Sequence, residues 1–142
     1  MIDLKGISKI YGQKKVVNDV SVSIAKGKVT SFIGPNGAGK STLLSMITRL
    51  LDQDSGEVLL EGKNILQAPS DTLAKKIAIL KQSNHMDLKI TVRELISFGR
   101  FPYSKGRLNE RDHEIIDEAI SYMELEEYEG RYIDELSGGQ RQ

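Results

Sequence analysis

The sequence contains no cysteine. A disulfide framework and a thiolate metal site are therefore excluded, and a reducing compartment is compatible with the chain. There is no excess of either charge: 20 Lys and Arg stand against 20 Asp and Glu. A protein that binds by neutralising nucleic-acid phosphates is ordinarily basic, so this balance argues against a nucleic-acid partner. No run approaches the ~18–20 apolar residues of a membrane-spanning helix. The opening "MIDLKGISKIYG" has no apolar core of signal-peptide length. Any membrane association is expected to go through a partner. No His/Asp/Glu cluster has metal-ligand spacing; His85 ("SNHMD") and His113 ("RDHEI") sit on polar stretches and read as surface residues.

At 142 residues the chain can bury one core. "IDLKGISKI" and "VVNDVSVSI" have near period-2 apolar spacing, with breaks at Gly12 and at Ala25 to Lys28, and predict antiparallel strands. "VTSFI", residues 29–33, predicts a buried strand. A Gly-rich loop follows, then "KSTLLSMITRLL", where Leu43, Leu44, Ile47, Leu50 and Leu51 fall on one helical face. "SGEVLLEGKNI" reads as a hairpin, Ser70 to Lys76 as a short helix and "IAILKQ", residues 77–82, as a strand. Beyond it the pattern turns helical. Thr91 and Glu94 stand at capping-box spacing. Asn109 is the expected N-cap of a helix whose stripe is Ile115, Ile116, Ala119, Ile120 and Met123. The expected organisation is one domain, with mixed β and α/β structure over 1–82 and a helical part over 83–142.

The chemistry concentrates in "GPNGAGKST", residues 34–42, which matches G-x-x-x-x-G-K-[ST] between a strand and a helix pattern. Gly34, Gly37 and Gly39 permit positive φ and remove the Cβ atoms that would block a polyphosphate. With Asn36 and Ala38 they place successive N–H groups as an anion nest at a helix N-terminus, and Pro35, which carries no N–H, is a further expected binding residue of the loop. Lys40 supplies a point charge for the β and γ phosphates, Ser41 a hydroxyl for Mg²⁺, and Thr42 an α-phosphate contact. The bland alternative is a Gly-rich turn that binds nothing.

Three further features accompany this loop: Tyr11 ahead of it, Gln82 at the end of "IAILKQ", and "LSGGQ" at 136–140. In this order they resemble the nucleotide-binding domain of an ATP-binding cassette (ABC) transporter, over essentially the whole chain. "SFGRFPYSKGRL", residues 97–108, further resembles the ATPase subunits of iron–siderophore, haem and cobalamin importers. The resemblance implies an α/β fold of the P-loop NTPase ABC type: an antiparallel β subdomain, part of the RecA-like core and a helical subdomain. It implies that Tyr11 stacks on adenine, or else is a tyrosine packed at a strand end. Gln82 would contact Mg²⁺ and the attacking water, or is simply a solvated strand end. Ser137, Gly138, Gly139 and Gln140 would meet the γ-phosphate of ATP held by a second, head-to-tail copy, or form an ordinary helix start. Membrane permease subunits would dock near 82–107, with a substrate-binding protein acting through them. That places the protein at the cytoplasmic face of the cell membrane.

In such domains an apolar strand ending Asp-Glu (Walker B) and a switch histidine follow the signature, which here is "LSGGQ" at 136–140. Neither occurs in these 142 residues: "YIDEL" gives Asp134 and Glu135 only two apolar residues of lead. The expectation is the N-terminal part of such a domain, with strand 29–33 short of parallel neighbours and its apolar edges open to association. Weak ATP or ADP binding and near-zero hydrolysis follow. A soluble ABC ATPase outside transport, or a naturally short nucleotide-binding regulator, are the alternatives. Arg100, Lys105, Arg107 and Arg111 form a basic cluster, and Glu124, Glu126, Glu127 and Glu129 an acidic run. The first reads as a permease contact or a solvated loop, the second as a solvated helix end.

Overall fold

The computed structural model describes residues 1–80 and 89–141. The chain divides into two compact units, Met1–Leu73 and Ala74–Gln142.

In the first unit, strands β1 (Ile2–Tyr11), β2 (Lys14–Ile24), β3 (Ser55–Leu60) and β4 (Lys63–Asn64) form an antiparallel sheet of order β2-β1-β3-β4. The alternating apolar pattern produces this directly: Leu4, Ile7, Val17 and Val58 point to one buried face. The turn at Gly12 takes φ +59, and the strands pair from Tyr11↔Lys14 to Ile2↔Ile24 with three register shifts. Helix α1 (Lys40–Ile47) follows the phosphate loop and packs against β2. Eight residues are too few for a helix to persist alone in water, so burial of Leu43, Met46 and Ile47 is what holds it. The chain leaves α1 through Arg49, at φ +57, whose guanidinium donates to the carbonyls of Ile65 (3.0 Å) and Ala68 (2.7 Å) and to Ser70 Oγ (2.7 Å). Helix α2 (Ser70–Ala74) begins there.

Three expectations for this part of the chain are corrected. Residues 29–33 form no strand; Val29 and Ile33 are 97% and 95% exposed. A buried strand needs hydrogen-bonding neighbours and cover on both faces, and among the described residues none pairs with it. Residues 77–80 are likewise not a strand, with Leu80 67% exposed, while Lys81 and Gln82 lie outside the described residues. Helix α1 stops at Ile47 rather than running through Leu51. Its buried face is Leu43, Met46 and Ile47, while Leu44 within the helix and Leu50 beyond it are exposed.

The second unit is helical: α3 (Val92–Phe98), α4 (Phe101–Ser104), α5 (Glu110–Tyr122) and α6 (Gly138–Arg141), with single 3-10 turns at Glu126–Tyr128 and Ile133–Glu135. Thr91 and Glu94 form the expected capping box, and Asn109 forms one with Asp112. Helix α5 buries Ile116 and Ile120, half-buries Ile115 and Ala119, and leaves Met123, its C-cap, exposed.

The basic cluster is not a free patch. Arg100 Nε donates to Asp112 Oδ1 at 2.8 Å and its guanidinium lies 4.1 Å from the Tyr103 ring centre; Arg111 pairs with Glu114 at 2.7 Å. Asp112, buried at 2% exposure, also accepts from Asn109 N–H at 3.1 Å. That N–H bond first, and Arg100 second, hold its carboxyl below the usual carboxylate range. A lowered folded pKa means a stabilisation that is complete above the unfolded value near 4 and lost as pH falls through the folded one. Replacing Asp112 by Asn should therefore lower the urea midpoint at pH 7, and the difference from the parent should close as pH is taken toward 2, read by circular dichroism.

Candidate nucleotide site and signature turn

Gly39 decides the geometry of the phosphate loop. It is the N-cap of α1 at φ 85 and ψ 6, in the left-handed region, and a Cβ there would lie 2.5 Å from the Val16 carbonyl oxygen of β2. Only glycine allows the loop so close to the strand. Gly37 also takes a positive φ of 80, but a Cβ there would meet nothing within 4 Å. Its role is conformational alone.

No side chain caps the N-terminus of α1. The first-turn N–H groups thus carry the positive end of the helix dipole toward the loop. Lys40 Nζ donates to the carbonyls of Gly34 and Pro35, both at 2.8 Å, drawing the loop around its ammonium. Ala38 N–H donates to Pro35 at 3.3 Å. Asn36 and Ser41 are exposed, and Thr42 is half-buried. A cleft of about 410 Å³ opens between β2 and this loop, with Val16, Val17, Phe32, Gly39, Lys40 and Leu43 in its wall. The donors are backbone N–H groups and an ammonium, with a hydroxyl at Ser41. This set fits a polyphosphate and a hard, oxygen-loving cation.

Tyr11 stands 51% exposed at the end of β1, with Lys9 Nζ 5.8 Å from its ring centre. Lys9 is itself held at 2.8 Å by Asp54, which also accepts from Ile10 N–H at 2.7 Å. The structure does not bring Gln82 into this description, because it lies outside the described residues, as does His85; His113 is exposed on α5. Among the described residues no group of three or more His, Asp or Glu could hold a metal ion, and no helix is long and apolar enough to cross a membrane.

In the second unit, Ser137 and Gln140 cap the start of α6 reciprocally. Ser137 N–H donates to Gln140 Oε1 at 3.0 Å and Gln140 N–H donates to Ser137 Oγ at 3.3 Å. Gly138 and Gly139 are exposed, with open space where a Cβ would be. The turn therefore presents bare backbone to solvent.

The family model described as "ABC transporter" matches residues 17–142. The chain belongs to the ABC transporter family. This ABC chain is 54% identical, over all of its residues, to the petrobactin import ATP-binding protein YclP of Bacillus subtilis (strain 168), of which it covers 56%. It is 46% identical to the iron(3+)-hydroxamate import ATP-binding protein FhuC of the same organism, with 93% of this chain and 50% of that protein covered. The chain thus spans about half the length of these curated relatives. Among solved structures, the dimeric structure of MJ0796, a bacterial ABC transporter cassette, aligns with TM-score 0.81 at 30% identity, covering 99% of this chain and 65% of that one. The α/β fold of the P-loop ABC type, expected from the motifs, is thereby established, and members of this family use ATP with Mg²⁺.

Sequence reasoning missed two parts of these sites. One is Val16, whose carbonyl walls the phosphate loop; a backbone contact leaves no mark in a side-chain pattern. The other is Asp112, the partner that removes Arg100 from the basic cluster. Its spacing from Asn109, N-x-x-D, was the available signal.

A substitution pair tests the role of β2 in shaping this ABC phosphate loop. Gly37→Ala should cost only the backbone term, about 1 kcal/mol. Gly39→Ala should cost more, about 2–3 kcal/mol or above, because the loop must also move off Val16. Faster amide exchange over residues 34–39 in the Gly39 variant alone is the expected signature.

Proposed function

We propose that this chain is the nucleotide-holding part of the energy-coupling ATPase subunit of an ABC importer for iron–siderophore-type ligands. The observation that carries the reading is the uncapped first turn of α1 behind a loop drawn around Lys40, in a chain 54% identical to a petrobactin import ATP-binding protein. The "SFGRFPYSKGRL" stretch and the hydroxamate-import relative agree with that ligand class. Residues 1–142 are read as a single incomplete nucleotide-binding domain, with the phosphate loop and Gln82 in 1–82 and the signature turn in 83–142.

In this reading Gly34, Asn36, Gly37, Ala38 and Gly39 give backbone N–H groups to the phosphates of ATP, and Pro35, which has none, shapes the loop. Lys40 leaves the carbonyls of Gly34 and Pro35 for a phosphate oxygen, a charge-assisted exchange. Ser41 and Gln82 serve Mg²⁺, Thr42 serves a further phosphate, and Tyr11 offers its exposed ring to the base. Bound Mg-ATP supplies the phosphoryl group and the cation that balances its charge. Ser137, Gly138, Gly139 and Gln140 complete the site held by a second copy, head to tail. Permease subunits dock near 82–107 and link the pair to a substrate-binding protein, which puts the subunit at the cytoplasmic face of the membrane. Hydrolysis by these 142 residues alone is near zero, since the sequence holds no apolar strand running into Asp-Glu.

Calorimetric titration with Mg-ATP, paired with a phosphate-release assay, tests this. Lys40→Ala should weaken binding about tenfold or more, the loss of one charge-assisted contact. Sustained, Lys40-dependent turnover would contradict the predicted inactivity. In the native host, inactivating the gene should abolish uptake of radiolabelled iron–siderophore; unchanged uptake of every siderophore supplied would contradict the importer assignment.

A further inference from the structure

The Ser137–Gln140 exchange closes the signature turn locally but does not orient it, since Ser137, Gly138 and Gly139 are all exposed. What ties it to the rest of the unit lies behind. Leu136, immediately before Ser137, is buried in a cluster with Val92 and Ile133. Val92 N–H donates to the Arg131 carbonyl, Arg93 N–H to that of Glu129 and Ile133 N–H to that of Ile90, each at 3.0 Å. Segment 90–93 and segment 129–133 thus form a short backbone brace, closed by the bridge Thr91↔Tyr132.

Arg93 adds the side-chain part of this brace. Its Nη1 meets Glu129 Oε2 at 2.9 Å and its Nη2 meets Asp117 Oδ1 at 2.6 Å. One guanidinium on α3 therefore grips both α5 and the segment that leads into the signature turn. The three side chains are 36%, 45% and 60% exposed, in the order Arg93, Glu129, Asp117. Pairs so exposed add little stability. A planar fork satisfied by two carboxylates instead fixes direction.

We propose that Arg93 is a positioning residue for the signature turn, setting the attitude in which Ser137, Gly138 and Gly139 face a nucleotide phosphate on a second copy of the chain. The inference rests on the head-to-tail pairing proposed above and names the residue that tunes it.

Mixing two disabled copies tests it. A Lys40→Ala copy holds nucleotide more weakly, by about tenfold or more, so it stays empty at a Mg-ATP concentration that fills the intact loop, and a Gly138→Asp copy repels phosphate from its own signature turn. Together they leave one composite site, with the signature turn supplied by the Lys40→Ala copy. Mg-ATP-dependent association is read by sedimentation velocity. Arg93→Ala added to the Lys40→Ala copy should weaken association about fivefold, the scale of a small ion-pair network. The same change in the Gly138→Asp copy should leave association unaltered, and Arg93→Lys should restore part of the loss. Equal losses from both copies would mean a general structural role and overturn the inference, as would no loss from either. No association despite Mg-ATP binding to the Gly138→Asp copy would refute the pairing, and the inference with it. Absence of that binding would refute the phosphate-loop reading itself.

Discussion

The Val16 carbonyl and the missing Cβ of Gly39 define how the candidate nucleotide site is built. Their closeness lets the loop turn against β2 and enter α1 in a single left-handed step. Everything nearby depends on that step. It aims the uncapped first turn of α1 at the loop, and it sets Lys40 where its ammonium reaches two loop carbonyls. The helix is short, so its direction comes from the leucine, methionine and isoleucine it buries rather than from its own backbone. A phosphate site of this kind is therefore a property of the sheet as much as of the loop. β2 contributes an apolar wall and the Val16 carbonyl, and that carbonyl decides where the glycine must be.

The second unit solves the opposite problem. A turn that exposes bare backbone cannot be held by contacts on its open face. Leu136 anchors it from below, in the cluster with Val92 and Ile133, while backbone bonds tie the approaching segment to the start of α3. The capping exchange between Ser137 and Gln140 closes the turn locally. Apolar burial supplies the energy, and directional polar contacts supply the orientation. The same division recurs at Asp112, where a buried carboxylate joins Arg100 to the N-terminus of α5.

How much of this was legible in the sequence follows from the physics of each element. Period-2 alternation and Gly12 foretold β1 and β2, because a half-buried sheet writes its faces into the chain. Thr91, Glu94 and Asn109 foretold two helix starts, because capping is local chemistry. "VTSFI" and "IAIL" misled. Apolar runs say that burial is wanted, but a strand forms only where a neighbour offers hydrogen bonds, and that information is not local. The exposure of Leu50 goes with the early end of α1 at Ile47. Of the candidate site's geometry, the loop glycines and Lys40 were readable from spacing. Val16 was not, since it acts through its backbone, and the grip of Arg93 on residues 24 and 36 positions away is invisible without the fold.

The central claim is that residues 34–42 form a phosphate cradle set by β2 and α1. Titrating the isotopically labelled chain with Mg-ATP while following its backbone amide resonances tests this most directly. The account predicts that the amides of Gly37 to Thr42 shift first and furthest, with Val16 and Val17 moving alongside them. Saturating shifts elsewhere in the chain, with those amides unmoved, would contradict it.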